Sequence, residues 1–117
     1  MNAEQLRTLV TDTLDDGKGR DMQVLDVRQN CDFTDYMIIA TGTSVTHVKA
    51  LGEAVAQAAK DAGHPPLGVE APQDPEWVLV DLGDVVVHVM TERSRAYYAL
   101  EKLWSVTPAR GEAVTDA

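Results

Sequence analysis

The chain has 117 residues, enough for one domain with a modest core, and 44% hydrophobic against 25% charged residues is an ordinary globular balance. The net charge of −9, from 10 Lys and Arg against 19 Asp and Glu, disfavours direct nucleic-acid contact, which needs cations that displace phosphate counterions, and suits a basic protein partner. No apolar run reaches bilayer length, the N-terminus lacks the basic start and apolar core of a secretory signal, and the lone Cys31 can form no internal disulfide, so a cytoplasmic protein with no membrane role is expected.

Leu6, Leu9, Val10, Thr13 and Leu14 recur at helical spacing and predict an amphipathic first helix, ended by Gly17 and Gly19. Residues 22–27 are short and apolar enough for a strand, and residues 36–41 predict a second. Thr41-Gly42-Thr43-Ser44 breaks that strand and supplies an N-cap hydroxyl for a helix carrying Val45, Val48, Leu51, Val55, Ala58 and Ala62 on one face. Gly63 and Pro65-Pro66 stop it. Residues 67–70 form a short extended piece, followed by a proline-bounded loop over 72–75. Residues 77–81 and 84–90 then read as a hairpin about Leu82-Gly83. Thr91 can cap a last helix with the stripe Ala96, Tyr97, Leu100, Leu103 and Trp104. From Val106 the chain has no periodicity, which predicts a folded domain over 1–105 and a disordered tail over 106–117. The order α-β-β-α-β-β-β-α predicts an α/β fold, a single mixed β-sheet with flanking helices.

The hairpin carries the functional signal. A turn at Leu82-Gly83 would pair Asp81 with Asp84, Leu79 with Val86, and Trp77 with His88. Strand alternation then places Val78, Val80, Val85, Val87 and Val89 on one aliphatic face, expected under the helices. The other face carries Trp77, Leu79, Asp81, Asp84, Val86, His88 and Met90. Two carboxylates fit a second buried layer poorly, because desolvating charge is costly, whereas a protein interface joins an apolar, aromatic centre to a charged rim. Two readings stay open at this point. Either the whole face docks a partner, or a helix covers its Trp end and only the Asp turn is wet.

The distribution of charge suggests an electrostatic footprint for a partner, with a solvated acidic face as the alternative. Between Lys60 and Arg93 there is no Lys or Arg, while Asp61, Glu70, Asp74, Glu76, Asp81, Asp84 and Glu92 all fall in that stretch.

Catalytic readings find less support. Thr41-Gly42-Thr43-Ser44 before a helix could cradle a phosphate, but it lacks the Gly-x-x-x-x-Gly-Lys pattern. Asp81 and Asp84 could hold a divalent cation, yet Asp at a turn ordinarily serves local hydrogen bonding. His47, His64 and His88 are scattered, and Ser44 and Ser94 lack a nucleophile-elbow context. No cofactor, metal or catalytic residue is expected.

Several segments resemble the ribosomal silencing factor family, RsfS, also called Iojap-like. They are Val24-Leu25-Asp26-Val27; Phe33-Thr34-Asp35-Tyr36-Met37-Ile38-Ile39-Ala40-Thr41-Gly42-Thr43-Ser44 with His47-Val48; Pro66-Leu67-Gly68-Val69-Glu70; and the run from Trp77 to Met90, leading into Ser94-Arg95, Tyr98 and Leu100-Glu101-Lys102-Leu103-Trp104. The resemblance covers residues 2–105. It implies a nucleotidyltransferase-like fold without the catalytic residues, and no Asp-x-Asp pair follows the Thr-Gly-Thr-Ser turn. It also implies a function. Such proteins bind ribosomal protein fourteen of the large ribosomal subunit, block joining of the small subunit sterically and so repress translation; some organellar relatives act as large-subunit assembly factors. On this reading Trp77, Leu79, Val86 and Met90 form the apolar centre, Asp81 and Asp84 meet basic groups, and His88 donates a hydrogen bond and makes affinity respond to pH. Tyr97 or Tyr98 extends the patch. A homodimer that buries the same face and a nucleotide-binding enzyme are the alternatives.

Overall fold

A computed structural model describes residues 1–98 of the chain. Leu100, Leu103 and Trp104, the side chain of Tyr98, the boundary at 105 and the tail over 106–117 lie outside the described residues.

The first helix, α1 (Ala3–Asp16), starts at a reciprocal cap. The Asn2 side chain accepts from the Gln5 amide at 2.8 Å, and the Gln5 side chain accepts from the Asn2 amide at 3.0 Å. Strands β1 (Arg20–Asp26) and β2 (Tyr36–Gly42) follow, then helix α2 (Val45–Asp61), strands β3 (Gly68–Glu70), β4 (Trp77–Asp81) and β5 (Val85–Thr91), and the short helix α3 (Glu92–Tyr98). The expected element order is therefore present. The strands form one mixed sheet in the order β1-β2-β5-β4-β3, in which β2 and β5 run parallel and the other neighbours antiparallel. The two central strands are the ones written as near-continuous apolar runs, as burial on both faces requires.

Helices α1 and α2 cover one face. Leu6, Val10 and Leu14 from α1, with Val48, Leu51, Val55 and Ala59 from α2, share a core with Ile38, Ala40 and the five valines Val78, Val80, Val85, Val87 and Val89. The aliphatic face expected of the hairpin is thus where strand alternation put it. On α2, Ala59 rather than Ala58 or Ala62 completes the buried stripe. The helix lies so close to the sheet that a Cβ on Gly52 would stand 2.6 Å from Val78 Cγ1.

The opposite face holds a smaller cluster of Val27, Met37, Ile39 and Met90, with Leu25, Cys31 and Trp77 packed against it. Cys31 fills space beside this cluster, as a lone apolar cysteine should.

The hairpin register differs from the expectation by two residues. Asp81 pairs with Val86, Leu79 with His88, and Trp77 with Met90. The Leu82 amide donates to the Val85 carbonyl at 2.9 Å, so the two turn residues are Gly83 and Asp84 rather than Leu82 and Gly83. Two causes act together. Leu82 is 1% exposed in the helix-side core, where a turn residue could not reach. Gly83 has φ +87, which glycine tolerates at the first position of a two-residue turn. A shift of two preserves alternation, so the faces survive and only the partners change.

Candidate partner-binding groove

The mixed face of β4 and β5 is neither fully wet nor fully covered. Met90, His88 and Val86 are 0%, 5% and 7% exposed, so three of the seven expected contact residues have almost no surface to offer a partner. Trp77, Leu79 and Asp81 are partly exposed and Asp84 is exposed. Helix α3 lies along the same face. Between it and the sheet runs a groove of about 670 Å³ lined by Glu70, Pro72, Glu76, Trp77, Leu79, Arg93, Ser94 and Tyr97. Trp77 and Leu79 of the expected site therefore come together in one concavity. Asp81, Asp84, Val86, His88 and Met90 are not among its lining residues.

Trp77 is held in place by His88. The indole Nε1 donates to His88 Nδ1 at 2.9 Å, and the two rings sit 5.6 Å apart between centroids, tilted by 47°. Accepting at Nδ1 puts the proton of the neutral ring on Nε2. Burial lowers the His88 pKa to about 4, because the charged imidazolium would lose its hydration. His88 is thus neutral near pH 7 and accepts from Trp77 through Nδ1, so it does not supply the pH response near neutrality expected from sequence.

The groove's outer rim is tied by Glu76. Arg93 Nη2 lies 2.5 Å from Glu76 Oε2, Arg93 Nε donates to Oε1 at 3.1 Å, and the Thr91 hydroxyl donates to Oε1 at 3.2 Å. The hydrogen bond from Arg93 holds the Glu76 carboxyl below its usual range. Thr91 also caps α3 as expected, accepting from the Ser94 amide at 3.2 Å. Arg95 reaches back to the Asp21 carbonyl and, at 2.9 Å, to the Thr41 hydroxyl, pinning α3 across the β1–β2 end of the sheet. The predicted apolar stripe of α3 does not hold in its described part. Ala96 is exposed and Tyr97 is 81% exposed at the groove. Tyr97 lines the groove, and the side chain of Tyr98, the other candidate, lies outside the described residues.

The two aspartates separate in role. Asp81 Oδ1 accepts from the Gly83 amide at 2.9 Å, so this carboxylate closes its own turn. Asp84 stands out in solvent at the turn tip.

The Thr-Gly-Thr-Ser turn is occupied by the protein itself. Ser44 Oγ accepts from the His47 amide at 3.1 Å, as an N-cap should. The Thr43 amide donates to His47 Nδ1 at 2.9 Å, which leaves Nε2 to donate to the Gly17 carbonyl at 2.8 Å. His47 thus joins the start of α2 to the end of α1 and uses an amide that a phosphate would need. His64 does a similar job, with Nε2 2.8 Å from the Leu82 carbonyl. Among the described residues no group of three His, Cys, Asp or Glu side chains could hold a metal ion.

The profile described as "Ribosomal silencing factor during starvation" (RsfS) matches residues 1–116. The chain belongs to the ribosomal silencing factor family. A Chromobacterium violaceum protein named ribosomal silencing factor RsfS is 43% identical over 104 residues, spanning 89% of this chain and 85% of that protein. A Haemophilus influenzae protein of the same name is 43% identical over 94 residues, or 80% and 92% of the two chains. A crystal structure of a C. violaceum protein superposes with TM-score 0.88 at 42% identity, covering 92% of this chain and 89% of that one. A mouse relative named mitochondrial assembly of ribosomal large subunit protein 1 is 33% identical over 74% of this chain and 40% of its own length. An RsfS-family chain is thus built around an aromatic groove and an acidic turn.

Sequence reasoning missed that α3 forms a wall of the site. Glu76 was visible only as a member of an acidic run and Arg93 only as its end, and nothing in their spacing showed that the helix beginning at Glu92 packs on β5 and β2 and walls the groove.

Proposed function

We propose that this chain is a ribosomal silencing factor that works by occlusion and performs no catalysis. It docks on the large ribosomal subunit through ribosomal protein fourteen, keeps the small subunit from joining and so represses translation in the cytoplasm. One observation carries the reading: a groove walled by Trp77, Leu79 and Tyr97 carries Glu70 on its lining beside the Glu76–Arg93 pair, and its residues from Glu70 to Leu79 come from the stretch 61–92, which has no Lys or Arg. An aromatic anchor at the centre and carboxylates around it suit a basic protein surface. Asp84 at the turn tip speeds the encounter. The names of the bacterial relatives point the same way.

The name of the mouse relative favours a second reading, a role in large-subunit assembly through the same contact. A nucleotide-binding role is less favoured because His47 engages the Thr43 amide. A homodimer through the groove would compete with the ribosomal partner and would appear as concentration-dependent sedimentation.

The experiment is binding of the purified chain to isolated large subunits and to ribosomal protein fourteen alone. Saturable binding to both, lost in a folded Trp77→Ala variant, supports docking through the groove. Absence of binding to either sinks it.

A further inference from the structure

Among the described residues the sheet has two edges, and only the β1 edge carries a bulge. Strand β1 breaks register between Arg20 and Gln23, with Asp21 at φ +47, and it carries Arg20, Asp21 and Asp26. Bulges and edge charges are the usual devices that keep a foreign strand from pairing. Strand β3, at the other edge, has no bulge within Gly68–Glu70, no proline between Pro66 and Pro72, and one charged side chain, Glu70. Residues 67–74 are all exposed. Two of them are large and apolar, Leu67 at 77% and Val69 at 47% exposure, and Leu67 lies beside the hairpin turn at Gly83. Among the described residues nothing stands within 4 Å of where a Gly68 Cβ would be. An edge strand leaves every second backbone N–H and C=O on its outer side without a partner in the sheet.

We propose that the outer edge of β3 takes an extended, lysine- or arginine-bearing segment of the partner protein as a sixth strand. Backbone pairing supplies the register, Leu67 and Val69 supply apolar contact, and Glu70 with Asp74 and Asp84 supplies the matching charge. The same charge argues against a second copy of this chain at that edge, because two copies would bring acidic strands together. Glu70 also lines the groove, so strand and groove form one continuous surface. The proposal rests on the reading that the partner is a basic protein of the large subunit.

The test is hydrogen exchange of the full chain, free and bound to isolated bacterial large subunits, with three variants. Binding should slow exchange across Gly68–Glu70 by about tenfold or more, since a strand hydrogen bond must open before its amide exchanges. Val69→Lys adds the charge natural edges use for defence and should weaken binding by about tenfold at unchanged melting temperature. Val69→Thr, β-branched and uncharged, should bind within about threefold of wild type. Gln57→Lys, the same charge change on the exposed side of α2, should leave binding unaltered. Tight binding without protection of Gly68–Glu70, or Val69→Lys binding like wild type, overturns strand addition and leaves groove docking standing. Failure of the wild type to bind large subunits overturns the docking reading, and strand addition with it.

Discussion

The His88–Trp77 pair makes stability depend on pH in a direction that can be worked out. Folding lowers the His88 pKa from 6.5 to about 4 through burial. The unfolded chain therefore takes up a proton that the folded chain refuses. The stability contribution is fully present above pH 6.5, is lost as pH falls from there towards 4, and levels off below. A gap of about 2.5 units corresponds to about 3 kcal/mol at the acid limit, and about 2 kcal/mol is lost already by pH 5. Against a total of about 5–15 kcal/mol for a domain this is a large share. Urea denaturation at pH 7 and pH 5 should show it, compared with His88→Gln, whose amide oxygen can accept from Trp77 Nε1 but does not titrate. Carboxylates elsewhere shift both proteins alike, so the variant should lose about 2 kcal/mol less than wild type over this range. The His88 imidazole resonances should titrate with a midpoint near 4. A midpoint near 6.5, or equal pH slopes for the two proteins, would refute the assignment of His88 as a buried neutral acceptor.

Other substitutions separate the groove from its scaffold. Trp77→Ala should cost about 2 kcal/mol or more of binding to large subunits, read by titration, whereas Trp77→Phe keeps the wall and leaves His88 Nδ1 without its donor, for about 1–3 kcal/mol of stability. Asp84→Lys should slow association and flatten its salt dependence with little effect on melting, while Asp81→Ala should cost about 1 kcal/mol in denaturation by removing the acceptor of the Gly83 amide. Gly42→Ala should destabilise by about 1–3 kcal/mol, because its Cβ would stand 2.9 Å from the Val48 amide nitrogen, a backbone atom that cannot turn aside.

Periodicity made most of the fold legible. The alternation of Val78, Val80, Val85, Val87 and Val89 and the helical spacing of Leu6, Val10 and Leu14 are direct imprints of a face that must leave water. The turn was misplaced by one residue because Leu82-Gly83 and Gly83-Asp84 both contain the glycine a tight hairpin wants. What decides between them is the burial of Leu82 under the helices, a tertiary fact. The face of the site was legible for the same reason as the core, since a shift of two keeps parity. Which of its residues meet solvent was not. His88 and Met90 are buried by their place at the sheet centre, and Tyr97 is exposed by the direction in which α3 leaves β5. Alternation assigns a side chain to a face without saying what lies over it. The resemblance to the ribosomal silencing family, by contrast, rested on long literal motifs and is matched by the family profile across residues 1–116.

The central claim is that the bound chain keeps ribosomal subunits apart. The most direct measurement is subunit joining followed by light scattering, with isolated small and large subunits mixed after the large subunit is saturated with this protein. The account predicts that 70S formation falls in proportion to occupancy, and that Trp77→Ala, added at the same concentration, leaves joining largely intact. Full joining with the protein bound to every large subunit would contradict occlusion and turn attention to large-subunit assembly.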